Sequence, residues 1–94
     1  MELKQKMKGS FTVRNDKGMH TRPCTELVKL ACGFQAHILL QYQEHTVNAK
    51  SLLGILMLAA PYKAEIEVIA EGEDAEEAVA QIIELADKSF YMKY

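Results

Sequence analysis

Alternation between apolar and polar residues recurs in several short segments of this chain and predicts half-buried β-strands. The clearest segment is 64–71, where apolar residues take every second position and Glu65, Glu67 and Glu71 stand among them. Because the alternation leaves one face polar, the sheet is expected to be covered on one side only. Weaker alternation predicts three more strands, at 10–14, 36–42 and 46–49.

Apolar residues three and four positions apart predict two long helices. The first carries its apolar stripe over 24–31. Pro23 suits the first turn of that helix, and Gly33 suits its C-terminal cap. The second long helix carries its stripe over 75–86. Both helices have a single apolar stripe, so they are expected to pack together on the covered side of the sheet.

Capping residues mark the starts of two helices. Ser51 directly precedes the short apolar run 52–57 and is the expected N-cap of a short helix. Asp74, with Glu77 three residues later, predicts a capping box at the start of the last helix. The resulting order is β-α-β-β-α-β-α, which predicts an open-faced α/β sandwich.

Length and charge narrow the possible classes of protein. The 94 residues suit one domain, 1–94, and carry a formal net charge of −2. Residues 1–63 have a balance of +5 and residues 64–87 one of −9. This distribution argues against a general nucleic-acid binder. The acidic residues of 64–87 are explained by the solvent-exposed face of a strand and by the start of a helix.

Neither a membrane span nor a disulfide framework is expected. The longest nearly unbroken apolar run, 52–60, is too short to cross a bilayer, and the first residues do not resemble a signal peptide. Cys24 and Cys32 are eight residues apart on one predicted helix, roughly 12 Å at 1.5 Å per residue, which is beyond disulfide reach. A reduced, cytoplasmic protein without membrane insertion is therefore predicted.

The segment 18–23, Gly-Met-His-Thr-Arg-Pro, contains the most suggestive chemistry. His20 comes directly before a predicted helix start, where the backbone N–H groups of Thr21, Arg22 and Cys24 are expected to lack intrahelical partners. Those groups, the helix dipole and the Arg22 guanidinium would together attract phosphate. Neutral imidazole is a nucleophile available near neutral pH, so a transient phosphohistidine is one interpretation. The alternative is an exposed loop histidine beside a solvated arginine.

Three segments in register decide between these interpretations. Together with 18–23, the runs Asn48–Gly54 and Ala70–Asp74 resemble the HPr family, the histidine-containing phosphocarriers of the bacterial sugar phosphotransferase system. The resemblance covers about 11–86 and leaves short extensions at both ends. It implies an HPr-like fold, a four-stranded antiparallel sheet with helices on one face.

The resemblance also implies a function. His20 would accept a phosphoryl group on Nδ1 from phosphorylated enzyme I and pass it to the IIA domains of sugar permeases, and Arg22 would stabilise the transferring group. The protein would then be a stoichiometric carrier rather than an enzyme, a monomer with no cofactor and no metal site. The alternative is a regulatory interaction module of a nitrogen-type or incomplete phosphotransfer system, acting on a kinase, permease or transcription regulator.

Ser51 matches the serine that HPr kinase/phosphorylase modifies in part of the family. An N-cap hydroxyl is exposed, and a phosphate attached there would meet N–H groups and a favourable dipole. A structural cap and a regulatory site are therefore compatible interpretations of Ser51.

The short helix after Ser51 contains more apolar residues than one face can bury. Ile55 and Leu58 are expected to point inward, and the remainder to form a docking patch, although packing into the core is an alternative. By resemblance, the patch binds enzyme I and IIA partners together with residues around the histidine. Its expected members are Leu52, Leu53, Leu56, Met19, Thr21, Arg22, Thr25 and Lys29. His37 and His45 are expected to be solvated, the first on a strand and the second in a turn.

Overall fold

A computed structural model describes residues 5–92 and shows one sheet with three helices on one face. The strands are β1 (Lys6–Thr12), β2 (His37–Tyr42), β3 (His45–Asn48) and β4 (Glu65–Glu71). The helices are α1 (Thr21–Ala31), α2 (Leu52–Leu58) and α3 (Ala75–Asp87), followed by a 3₁₀ turn at Ser89–Tyr91. The predicted element order and the open-faced α+β sandwich are confirmed.

The sheet is antiparallel throughout, in the order β1-β4-β2-β3. In β4 the residues Ile66, Val68 and Ala70 are buried, and the alternating glutamates 65, 67 and 71 are exposed on the open face. The acidic side chains of β4 are therefore solvated, as the alternation predicts. β3 includes His45, which the sequence placed in the turn; both His37 and His45 are exposed.

β1 begins earlier than predicted. The sequence pattern placed the first strand at 10–14, but β1 starts at Lys6, and Val13 lies beyond its end although it is fully buried. Met7 and Gly9 share the inward face with Phe11. Residues 6–9, which the resemblance left outside its matched region, are therefore part of the sheet.

The C-terminal segment is also part of the fold. Phe90 is fully buried and meets Phe11 edge to face, with ring centroids 5.9 Å apart. Residues 87–92, which the resemblance left beyond its matched region, thus contribute to the core through the aromatic ring of Phe90. Residues 93 and 94 lie outside the described residues.

The predicted capping box at Asp74 is wrong. Asp74 takes the N-cap position of α3 but makes no side-chain bond to that helix. Its carboxylate instead accepts the backbone N–H groups of Gln35 and Ala36, each at 2.8 Å. Asp74 therefore ties the start of α3 to the segment that enters β2.

The pKa of Asp74 is held below its ordinary value, mainly by the backbone N–H of Gln35 and further by that of Ala36. Partial burial of the carboxyl group opposes this shift. A carboxyl group with a depressed folded-state pKa stabilises the fold above its unfolded pKa, and this contribution disappears as the pH falls through the folded value. We therefore expect Asp74→Asn to be less stable than the wild type at pH 7. The difference should shrink below pH ~4, the ordinary value for aspartate.

Urea unfolding midpoints of both proteins at neutral and acidic pH measure this dependence. Glu73→Gln serves as the matched control, because Glu73 is an exposed carboxylate beside Asp74. An Asp74→Asn deficit that is the same at both pH values would contradict the assignment.

The two cysteines are free, with Cys24 buried and Cys32 exposed. The Cys24 thiol donates to the carbonyl of Met19 at 3.2 Å, and burial raises its pKa to about 11. Cys32 ends α1 in a right-handed conformation, so the predicted glycine cap at Gly33 is not the feature that ends this helix. Cys24 is thus a packing residue in its protonated form.

Candidate functional site

His20 occupies the N-cap position of α1. Its backbone is extended (φ −85°, ψ −174°), and its carbonyl accepts the N–H of Cys24 at 3.1 Å. The imidazole makes no capping bond to the helix and is half-buried. The residue therefore begins the helix through its backbone, and its ring is not used for capping.

The helix start differs in one respect from the predicted anion site. The N–H of Cys24 bonds to the His20 carbonyl and is not available to a ligand. Thr21 and Arg22 are exposed in the first turn, and Pro23 is buried behind them. Because α1 has no acidic residue in this turn, the positive end of its dipole is not neutralised by a side chain of its own.

A tight loop presents His20. The N–H of Gly18 donates to the carbonyl of Asn15 at 2.8 Å, and that of His20 donates to the carbonyl of Gly18 at 3.0 Å. The N–H of Met19 donates to the carbonyl of Ala60 at 2.9 Å, which joins the loop to the segment after α2. Gly18 has a φ of +72°, and a Cβ there would meet the Ala60 oxygen at 2.6 Å. Only glycine meets both constraints.

We expect Gly18→Ala to destabilise the protein by about 1–3 kcal/mol from the backbone angle alone, with the overlap at Ala60 adding to this. Because the same loop positions His20, the imidazole resonances of His20 should shift in the variant. Urea unfolding and NMR spectra measure the two effects. Gly33→Ala is the control, because an added Cβ meets only the Leu30 oxygen at 3.3 Å and φ is not left-handed. Equal stability of the two variants would contradict the prediction.

Met19 is not part of an exposed surface. Its side chain is only 5% exposed and belongs to the core, so its predicted place in the docking patch needs correction. The backbone N–H of Met19 is bonded to the carbonyl of Ala60, and the apolar side chain packs into the core. Met19 therefore anchors the loop that carries His20.

Thr25 and Lys29 lie along α1, beyond its first turn. Thr25 is half-buried and donates its hydroxyl to the carbonyl of Thr21 at 2.8 Å. Lys29 is exposed and lies 3.6 Å from the carboxylate of Glu26, an ion pair on the helix surface. Both residues thus lie on the same helix as Thr21 and Arg22 and are accessible in whole or in part.

Ser51 is the N-cap of α2, as predicted. Its backbone is extended, and its hydroxyl accepts the N–H of Gly54 at 3.0 Å. The neighbouring ammonium of Lys50 donates to the carbonyl of Phe34 at 2.7 Å, just beyond α1. Since Ala60 follows the opposite end of α2, and seven residues span about 10 Å, Ser51 and the His20 loop lie at different ends of this helix.

The exposed face of α2 agrees only partly with the predicted patch. Ile55 and Leu58 are buried, which confirms the inward face. Leu53 is 69% exposed and Leu52 36%, whereas Leu56 is half-buried and packs against the core. Met57, which was not among the predicted members of the patch, is 74% exposed. Its spacing of four residues from Leu53 was the signal that could have placed both on one helix face.

Metal-binding clusters and membrane-spanning helices are both absent from the part of the chain that the structure describes. Within residues 5–92, no three His, Cys, Asp or Glu side chains lie close enough together to hold a metal ion. No helix in the same part of the chain has the length and apolar character needed to span a membrane.

Comparison with known proteins defines the class. The profile of the PTS HPr component phosphorylation site family matches residues 7–88. The match begins within β1 and ends beyond α3, so it covers more than the 11–86 on which the resemblance rested. It places the chain among the phosphocarrier components of the phosphotransferase system.

Individual relatives agree with this class. The chain is 39% identical over 80 residues to the phosphocarrier protein HPr of Chlamydia trachomatis, an alignment covering 85% of this chain and 73% of the relative. Among solved structures, HPr-C-His from Thermoanaerobacter tengcongensis is 30% identical with a TM-score of 0.88, covering 94% of this chain and 99% of the other. An HPr dimer from that organism has 33% identity and a TM-score of 0.73, covering 83% and 90%. The chain belongs to the HPr family.

Proposed function

We propose that His20 is the phosphoryl acceptor, taking the group on Nδ1 from phosphorylated enzyme I and passing it to IIA domains of sugar permeases. The observation that carries the proposal is the position of His20 at the N-cap of α1, where its backbone begins the helix and its ring makes no capping bond. The ring is therefore not the cap of the helix, and it lies at the end of α1 where a phosphate would meet the helix dipole.

The residues present suit both steps of a carrier. In acceptance, the Nδ1 lone pair of neutral His20 forms a bond to phosphorus while the bond from phosphorus to the donor breaks. In release, a nucleophile of the IIA domain displaces His20 in the same way. Phosphoryl transfer depends mainly on positioning and charge stabilisation. The exposed Arg22 guanidinium and the first turn of α1 supply the charge.

The partners are proposed to bind around this site. The surface combines Leu52 and Leu53 of α2, with Leu56 partly covered, and Thr21, Arg22, Thr25 and Lys29 of α1. The two helices pack against each other, which supports a continuous surface. Two basic side chains of α1 beside an apolar cluster suit an acidic partner with an apolar contact area. We propose that this exchange takes place in the cytoplasm with the chain as a monomer.

Incubation with enzyme I and phosphoenolpyruvate tests the carrier function. Intact mass spectrometry should show a gain near one phosphate, about 80 Da, that is lost on acid treatment, as expected for an N–P bond. Addition of a IIA domain should then remove the adduct from this chain. A reaction without enzyme I is the control. Lack of an acid-labile adduct on the folded wild type would overturn the proposal.

A second proposed site is Ser51, as a substrate of HPr kinase/phosphorylase. A phosphate on its oxygen would lie at the start of α2, where the N–H of Gly54 already points at that oxygen. Separation from the His20 loop along α2 supports its action as a regulatory mark on the partner surface rather than as a second transfer site.

The kinase and ATP should give an acid-stable adduct that is absent in Ser51→Ala. This variant also loses its N-cap, at a cost of about 0.5–2 kcal/mol, so its folding is verified by circular dichroism first. Ser10→Ala, an exposed serine on the open face of the sheet, is the matched control. An adduct that survives in Ser51→Ala, or that disappears in Ser10→Ala, would contradict the assignment.

A further inference from the structure

The C-terminal segment Ser89–Met92, here named the strap, adopts an unusual backbone conformation. Three consecutive residues have left-handed angles, with φ of 52° at Ser89, 55° at Phe90 and 64° at Tyr91. None of them is glycine, so the conformation is strained unless surrounding contacts enforce it. The strap therefore has to be held by specific interactions.

Besides its packing against α1 and α3, two specific contacts tie the strap to distant parts of the chain. The Phe90 ring is fully buried and contacts Phe11 edge to face. The Asn15 side chain, itself fully buried, donates from Nδ2 to the carbonyl of Ser89 at 2.9 Å. A buried amide that bonds a backbone carbonyl 74 positions away is a specific connection, because a misplaced strap would leave polar groups buried without their bond.

Asn15 is also the first residue of the hydrogen-bonded path to His20. Its carbonyl accepts the N–H of Gly18 at 2.8 Å, and the carbonyl of Gly18 accepts the N–H of His20 at 3.0 Å. The side chain of Asn15 thus contacts the strap while its backbone supports the loop. The path from Ser89 to His20 passes through two residues only.

We propose that Asn15 is a positioning residue that couples the strap to the loop of His20, so that the docked strap sets the orientation of the imidazole. The strap also packs against α1, and Asn15 provides its hydrogen-bonded connection to the loop. Its influence on phosphoryl acceptance rests on the proposed function, but its influence on the loop does not.

Amide hydrogen exchange and the ring resonances of His20 test the coupling without any phosphotransfer. In Asn15→Ala, exchange at Gly18 and His20 should accelerate about tenfold, the factor expected for one hydrogen bond, and the His20 ring resonances should shift. Phe90→Leu keeps an apolar side chain in the core but loosens the strap, and it should produce the same changes at the loop. Tyr91→Ala is the control, because the Tyr91 ring is 68% exposed.

The two variants should also be non-additive when combined, since each releases the same connection. If Asn15→Ala does not fold, Phe90→Leu alone decides the question. Lower thermal stability with unchanged exchange and unchanged His20 resonances would show that the strap is only structural, and would overturn the proposal. Changed exchange with normal rates of phosphoryl acceptance would retain the coupling and remove its role in transfer.

Discussion

Replacement of His20 by alanine should abolish the acid-labile phosphoryl adduct completely while the protein remains folded. The imidazole makes no capping bond, and the backbone contacts that begin α1 do not depend on the side chain. The start of α1 should therefore be retained in the variant, and circular dichroism should show a folded protein. A full loss of phosphoryl acceptance in a folded variant would show that the imidazole is needed for the reaction and not for the fold.

The other two histidines provide the matched controls. His37 is exposed on the open face of β2 and His45 at the start of β3, so both lie outside α1 and the loop that carries His20. His37→Ala and His45→Ala should accept phosphate as the wild type does. Acid lability, measured by intact mass before and after brief acid treatment, distinguishes the adduct from a serine ester. An adduct that persists in His20→Ala would assign the acceptor to another residue.

The parts of the fold that sequence predicts well are those whose signal is local. In β4, alternation alone identifies the buried residues, because successive side chains of a strand point to opposite faces. At Ser51, the capping hydroxyl and its donor, the N–H of Gly54, lie three positions apart, so the contact is encoded within one turn. The location of His20 at a helix start follows for the same reason, from the Pro23 that comes after it.

β1 shows why a real strand can lack a hydrophobic pattern. Its inward position at Gly9 has no side chain, because a Cβ there would meet Ile83 at 2.7 Å and Val79 at 2.8 Å. Close packing of α3 on β1 thus requires the residue that erases the alternation. The strand start at Lys6 was therefore not predictable from apolar spacing.

Other features depend on contacts between distant parts of the chain. Asp74 has the spacing of a capping box with Glu77, yet its carboxylate bonds to Gln35 and Ala36 across the fold. Met19 is next to the site in sequence, but its side chain packs into the core. Neither outcome has a local signal, because each is decided by which surfaces meet in the folded protein.

Phe90 is the strongest example of this dependence and gives the largest expected effect on stability. It lies beyond the region that the resemblance covered, but its ring is fully buried and packs edge to face on Phe11. Phe90→Ala should cost about 3–5 kcal/mol, because it opens a cavity and removes an aromatic contact. Release of the left-handed backbone at Ser89–Tyr91 offsets part of this cost.

A domain of this size loses about 4–8 °C of melting temperature per kcal/mol, so even a net cost of about 2 kcal/mol after this offset would lower the melting temperature of Phe90→Ala by ~8 °C or more. Differential scanning calorimetry measures this shift, and Tyr91→Ala provides the control at the next, exposed position. The control should remain within about 0.5 kcal/mol of the wild type, because surface truncations change stability little. Equal melting of the two variants would mean that the ring of Phe90 does not complete the core. A deficit confined to Phe90→Ala would instead establish residues 89–92 as a structural part of the domain, since an extension would unfold at no cost to the rest.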